Sequence, residues 1–236
     1  MKAEIVGFDA GHHNQNLGSS INRMVAEGQY KDQSVIVVIP ALAMVNTKAA
    51  SSWWNLIFPP NQKAVKLFAQ GMEVGEAYSQ TIEAILANPG LADFKYILTI
   101  EADNVVPPDG LLNLIKRMEA HPEYACIGGL YWTKGHGGCP QIWGDPKDPV
   151  LNFRPQMPVP GELVECNGTG QGFNLFRMEM FKDTRLRRPW FKTVASKEGV
   201  GTQDLYAWSD FKKNGYRCAI DCSVLVGHVD SSGFVW

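Results

Sequence analysis

An α/β fold with a mixed, mainly parallel sheet flanked by helices is predicted by three observations. A continuous apolar run at 35–40, and a segment at 94–100 built around the apolar run Tyr96-Ile97-Leu98, read as strands buried on both faces. Between them, Val74, Tyr78, Ile82, Ile85 and Leu86 follow helical spacing. After the second run, Leu111, Leu114, Ile115 and Met118 fall on one face of another helix. Strand, helix, strand, helix is the order that builds parallel strands joined by crossover helices.

The elements follow in order. The first strand is β-branched, V-I-V-V-I, and ends at Pro40. Residues 41–71 show no clear period and contain Trp53-Trp54 and Pro59-Pro60. The first helix stops at Asn88-Pro89-Gly90. Asp109 is placed to cap the helix that follows the second strand. Residues 125–132 read as a strand, and K-G-H-G-G at 134–138 as a mobile loop. Prolines and glycines punctuate 140–161, which implies turns running over the surface. Residues 162–177 read as one strand interrupted by N-G-T-G-Q-G at 167–172. Thr202 is placed to cap a helix carrying Leu205, Trp208 and Phe211 and closed by Asn214-Gly215. The last strand, 217–226, delivers Gly227-His228. There is no internal repeat.

The 236 residues are 45% hydrophobic and 19% charged, which excludes a disordered chain. A formal charge of −2 gives no global attraction for nucleic acid; Arg185, Arg187 and Arg188 read as a solvated face. No apolar run approaches the ~20 residues of a membrane span, and the N-terminal residues lack the apolar core of a secretory signal. The expected location is cytoplasmic. Five scattered cysteines, with Cys218 and Cys222 spaced C-x3-C and no second pair nearby, argue for reduced structural thiols rather than zinc.

Chemistry concentrates where strands end. Glu101 and Asp103 close the second strand at the edge where ligands of parallel sheets gather. With no adjacent lysine or arginine, they either decorate a solvated turn or hold a hard cation through oxygen. The alternate glycines at 168, 170 and 172 mark either a bulge or the close approach of a ligand or backbone. Asp204 stands in a helix first turn, which favours a carboxylate on dipole grounds alone. His228, just past a terminal strand, is a surface histidine or a ligand; His12, His13 and His136 read as surface residues.

Over roughly 35–230, the order and spacing of these pieces resemble the GT-A-fold glycosyltransferases, especially the family-2-like branch of bacteria, archaea and their viruses. Residues 35–40 look like the first nucleotide-binding strand, and Y-I-L-T-I-E-A-D at 96–103 like the strand ending in the D-x-D motif. N-G-T-G-Q-G-F-N-L-F-R at 167–177 resembles the acceptor strand, and G-T-Q-D-L-Y at 201–206 the E-D helix start. V-G-H at 226–228 resembles the closing strand with its metal-binding histidine.

The resemblance implies one GT-A (Rossmann-like) domain over 1–236. Its nucleotide-sugar half would span about 35–130 and its acceptor half about 131–236. It implies transfer of a sugar from a nucleoside-diphosphate sugar, such as a UDP- or GDP-sugar, to an acceptor hydroxyl. Pro40, Ala41, Glu101, Ala102 and Asp103 would hold the donor. Asp103 and His228, helped by Glu101, would hold Mn²⁺ or Mg²⁺. Asp204 would be the general base, and Gly168, Gly170, Trp190 and Asp204 would meet the acceptor: a glycan, lipid, protein or modified nucleobase. The 134–138 loop would fold over the donor. Three departures bear on this: Glu101 begins the metal motif, Gln203 precedes Asp204, and Tyr78-Ser79 stands where relatives carry arginine-asparagine. A nucleotidyltransferase shares the strand-end acid, but A-L-A-M-V-N at 41–46 lacks its glycines and basic residues. A catalytically degenerate sugar-binding protein is the non-enzymatic alternative.

Overall fold

The first predicted strand is buried along its whole length, and its alternation divides the core. The structure, a computed structural model, describes residues 19, 22–28, 30–41, 44–133, 138–196 and 199–235. The chain divides into a short unit, Met1–Asp32, where residues 22–26 are helical, and a large unit, Gln33–Trp236, which carries the sheet.

Seven strands form that sheet: β1 (Val35–Ala41), β2 (Ala64–Gln70), β3 (Tyr96–Ile100), β4 (Cys126–Leu130), β5 (Leu163–Cys166), β6 (Phe173–Arg177) and β7 (Cys218–Leu225). Their order is β2-β1-β3-β6-β4-β7-β5. The pairings make β1, β2, β3, β4 and β7 run one way, with β5 and β6 antiparallel to their neighbours. The fold is therefore mixed α/β and Rossmann-like, as the strand–helix order predicts.

Val35, Val37 and Ile39 enter one core layer, while Ile36 and Val38 enter the other. The first layer is covered by α1 (Thr47–Trp54), through Ala49 and Trp53, and by Leu111, Leu114, Ile115 and Met118 of a later helix, Gly110–Ala120. The second is covered by α2 (Val74–Ala87), through Tyr78, Ile82 and Ile85. With α3 assigned to Gly110–Ala120, α4 (Gln203–Lys213) adds Trp208 and Phe211 to that second layer. There Phe176, Phe181, Phe191, Trp208 and Phe211 pack tilted, edge-on or stacked, with centroids 5.3–6.5 Å apart. Each such side chain contributes about 1.5–3 kcal/mol by leaving water.

Three expectations need correction. The unreadable stretch 41–71 holds α1 and edge strand β2, whose pattern is blurred because its side chains are mostly exposed. The single strand at 162–177 is two: β5 at the sheet edge and β6 at its centre, with the glycine segment carrying the chain between them. Asp109 and Thr202 stand at helix N-cap positions, but neither side chain bonds the helix backbone. The Asp109 carboxylate instead accepts from the Asn113 amide at 2.9 Å.

The arginines at 185–188 are tied to neighbours. Arg185 pairs with Asp183 at 2.6 Å, while Arg187 and Arg188 lie over the rings of Tyr206 and Trp190. Among the described residues, no helix is long and apolar enough to cross a membrane.

Candidate functional site

A cleft of about 720 Å³ opens at the carboxyl ends of β1 and β3. Pro40 and Ala41 end β1, and Glu101, Ala102 and Asp103 follow β3; all five line it, with Met44, Glu73 and Asp230 among the others. Every residue expected at the donor thus meets at one site, located where crossover connections leave room beyond the strands.

The turn after β3 is held from four sides. Glu101 N–H donates to Gly172 O at 3.2 Å, and Asn104 N–H returns to Glu101 O at 3.1 Å. Asn104–Val105 pairs antiparallel with Gly227–His228, and Val229 N–H donates to Asp103 O at 2.8 Å. Trp53 Nε1 donates to Asn104 O at 3.1 Å. This small ribbon places His228 Nε2 3.3 Å from Asp103 Oδ2. The last predicted strand therefore meets the acidic turn through backbone pairing, before any side chain is considered.

The charges are unbalanced. Burial, then the negative charges of Asp103 and Asp204, push the Glu101 carboxyl up to about 8. Asp204 lies on the core face of α4 with Ala207, Trp208 and Phe211 and is only 7% exposed. Burial raises its pKa, while bonds from the Thr202 hydroxyl and the Leu205 N–H pull back. The charges of Asp103 and Asp204 thus both bear on Glu101 across the cleft and its wall. Among the described residues, no group of three or more His, Cys, Asp or Glu side chains is arranged to hold a metal ion. Asp103 and His228 form a pair, and Glu101 does not complete a three-ligand set with them.

Two tyrosines carry weight that sequence reasoning missed. Tyr131 stacks on His228, its centroid 6.2 Å away, and its hydroxyl accepts from Gly172 N–H at 3.0 Å. Tyr78 is fully buried in α2, and the charges of Glu101, Asp103 and Asp204 raise its pKa further after burial. In the sequence Tyr131 looks like ordinary strand filler, and Tyr78 stands out only as a departure from the arginine-asparagine of similar proteins. Only tertiary structure turns them toward the acids.

The expected acceptor residues fare differently. Trp190 is 1% exposed, with its ring edge-on to Phe181 and under Arg188. A side chain with no free surface belongs to the core, so its acceptor assignment is corrected. The glycines do permit close approach, but by side chains of this chain. A Cβ on Gly168 would lie 3.1 Å from Trp208, and one on Gly170 would collide with the Tyr131 hydroxyl. Gly170→Ala is therefore expected to cost about 1–3 kcal/mol, lowering the melting temperature by roughly 2–12 °C without any ligand present. Thermal melts check this; an unchanged Tm would return Gly170 to a ligand-facing role. The ribbon Trp132–Thr133 with Cys139–Pro140 brackets the expected lid, whose residues 134–137, His136 included, lie outside the described residues, as do His12 and His13.

Fold and cleft together define a Rossmann-like α/β protein with an open cleft at the carboxyl edge of its sheet. No protein-family model matches the chain, and no curated protein matches it in sequence. In three dimensions it is similar to the crystal structure of A197 from STIV, with a TM-score of 0.58 at 15% identity, over 86% of this chain and 93% of that one. At that identity the likeness is one of fold.

Proposed function

We propose that this chain is a metal-dependent glycosyltransferase of the GT-A, family-2-like type, moving a sugar from a nucleoside-diphosphate sugar to an acceptor hydroxyl. The observation that carries the reading is the cleft's charge. Glu73, Asp103 and Asp230 line it together with Glu101, whose raised pKa leaves it neutral near pH 7, and no lysine or arginine is among its described lining residues. A diphosphate meets such a wall favourably only through a divalent cation.

Asp103 and His228 fit that cation. Mg²⁺ is held by as few as one or two carboxylates when substrate phosphates complete its shell, so Asp103 would be the anchoring ligand, with the His228 imidazole nitrogen beside it at 3.3 Å. When bound, the ion would supply Lewis-acid charge for the departing nucleoside diphosphate. Pro40, Ala41 and Ala102 form the small, close wall beside the donor. Asp204, buried and with a raised pKa, has the basicity to take the acceptor's proton. Glu101, protonated near neutrality without a cation, becomes a carboxylate when positive charge arrives. In this reading residues 35–130 handle the donor and 131–236 the acceptor.

The test is thermal stabilisation and product release with Mn²⁺ or Mg²⁺ and a panel of UDP-, GDP- and TDP-sugars. Release of nucleoside diphosphate in the presence of metal is the expected result. Sugar 1-phosphate released from the same donors, or inorganic pyrophosphate released from an added nucleoside triphosphate, would instead indicate nucleotidyl transfer, and silence toward every donor would leave the degenerate sugar-binding alternative.

A further inference from the structure

Three of the five cysteines lie in one row across the sheet. Cys126 on β4 is in register with Cys218 on β7, and Cys218 with Cys166 on β5. All three are fully buried in the second core layer. Cys166 and Cys218 oppose each other directly on antiparallel strands. Cys222 N–H donates to Glu162 O at 2.9 Å, and the register repeats that hydrogen-bonded phase every second pair, so that it falls on Cys218 and Cys166. Opposed Cα atoms in that phase lie ~5.5 Å apart, within the ~4.4–6.8 Å range of disulfides. Their Cβ atoms, however, stand near the wide end of ~4.5–5.5 Å where a disulfide needs ~3.5–4.5 Å, so closing the bond requires β5 to shift toward β7. The two Sγ atoms are already 3.8 Å apart.

We propose that Cys166 and Cys218 form a disulfide site, closed by a small-molecule disulfide such as oxidised glutathione when the β5 edge opens. β5 is the outermost strand and is paired on one side only, so local opening there costs less than global unfolding. One exposed thiolate displaces a glutathione thiolate from the oxidised dimer, forming a mixed disulfide. The second cysteine thiolate then displaces the other glutathione and closes the Cys166–Cys218 bond. The protein loses two protons and two electrons, and one oxidised glutathione becomes two reduced ones. In the closed sheet, burial keeps Cys218 a thiol, so the reaction waits on opening.

The link would tie the sheet edge to β7 and enclose the glycine segment, β6 and the Asp204 helix in one covalent loop. A loop of that length is expected to raise the melting temperature by roughly 5–15 °C.

The experiment incubates the full chain with oxidised glutathione in mild urea, removes both, and reads intact mass, cross-linked peptides and melting temperature. Expected are a loss of about 2 Da, joined Cys166 and Cys218 peptides, and a higher Tm that a phosphine reductant reverses. Cys126→Ser should preserve all three results, whereas Cys166→Ser should abolish the mass loss. The proposal is overturned if the thiols survive under conditions where hydrogen exchange shows β5 opening. A bond to Cys126, or an oxidised form that melts lower, overturns it equally. None of these readouts depends on sugar transfer.

Discussion

On the proposed function, Asp103→Ala is expected to erase metal-dependent stabilisation by a nucleoside-diphosphate sugar while leaving the empty protein's melting temperature nearly unchanged. The two effects separate because Asp103 holds its place by backbone: its carbonyl accepts from Val229 N–H at 2.8 Å whatever side chain it carries. The carboxylate is 49% exposed, and its 3.3 Å contact with His228 is worth little to folding. A ligand at one hundred times its Kd contributes about 2.7 kcal/mol to stability, or roughly 5–11 °C for a chain of this size. Wild type should show that shift with Mn²⁺ and the responding donor; Asp103→Ala should show almost none. Asp103→Asn keeps the shape and removes the charge, so a full shift in that variant would mean that the carboxylate holds no cation. A drop of many degrees without ligand would make Asp103 a folding residue instead.

How far the sequence discloses this site depends on how local each signal is. β1 and β3 are legible because both of their faces are buried, which leaves continuous apolar runs with visible ends. Glu101 and Asp103 are conspicuous for the same reason: they stand where such a run stops. β2 is illegible because an edge strand with exposed Phe68 and central Lys66 carries no clean pattern. The pairing of His228 with Asp103 follows from a two-residue ribbon, too short to leave a period, and only the family-like order of motifs points to it. The glycines at 168 and 170 mark a close approach correctly, but sequence alone does not tell a ligand from the Trp208 and Tyr131 side chains that fill the space. Trp190 misleads in the opposite way, since a large aromatic near a site motif suits a sugar platform and a core equally well.

Asp204→Asn is the second large effect, and it is expected to push activity and stability in opposite directions. On the proposed function, with no carboxylate to take the acceptor's proton, transfer should fall about 10²–10⁴-fold, with donor binding retained. Stability should rise, and the sign follows from the pKa. Asp204 is raised in the folded chain, burial being the largest cause, so folding disfavours its charged form. Its contribution is fully present below the unfolded carboxylate's pKa and is lost as pH rises through the folded value. At pH 7–8 the wild type therefore carries a cost that asparagine lacks, while an amide oxygen can still accept from Leu205 N–H, as Oδ1 does at 2.8 Å. Melts from pH 3 to 9 should show the variant gaining on wild type as pH rises, and the gap closing in acid. An acid kept only to start the helix would behave otherwise: its loss would lower Tm at neutral pH and leave turnover intact. Lower turnover together with a higher neutral-pH Tm is the pattern of a base held in place at the expense of the fold.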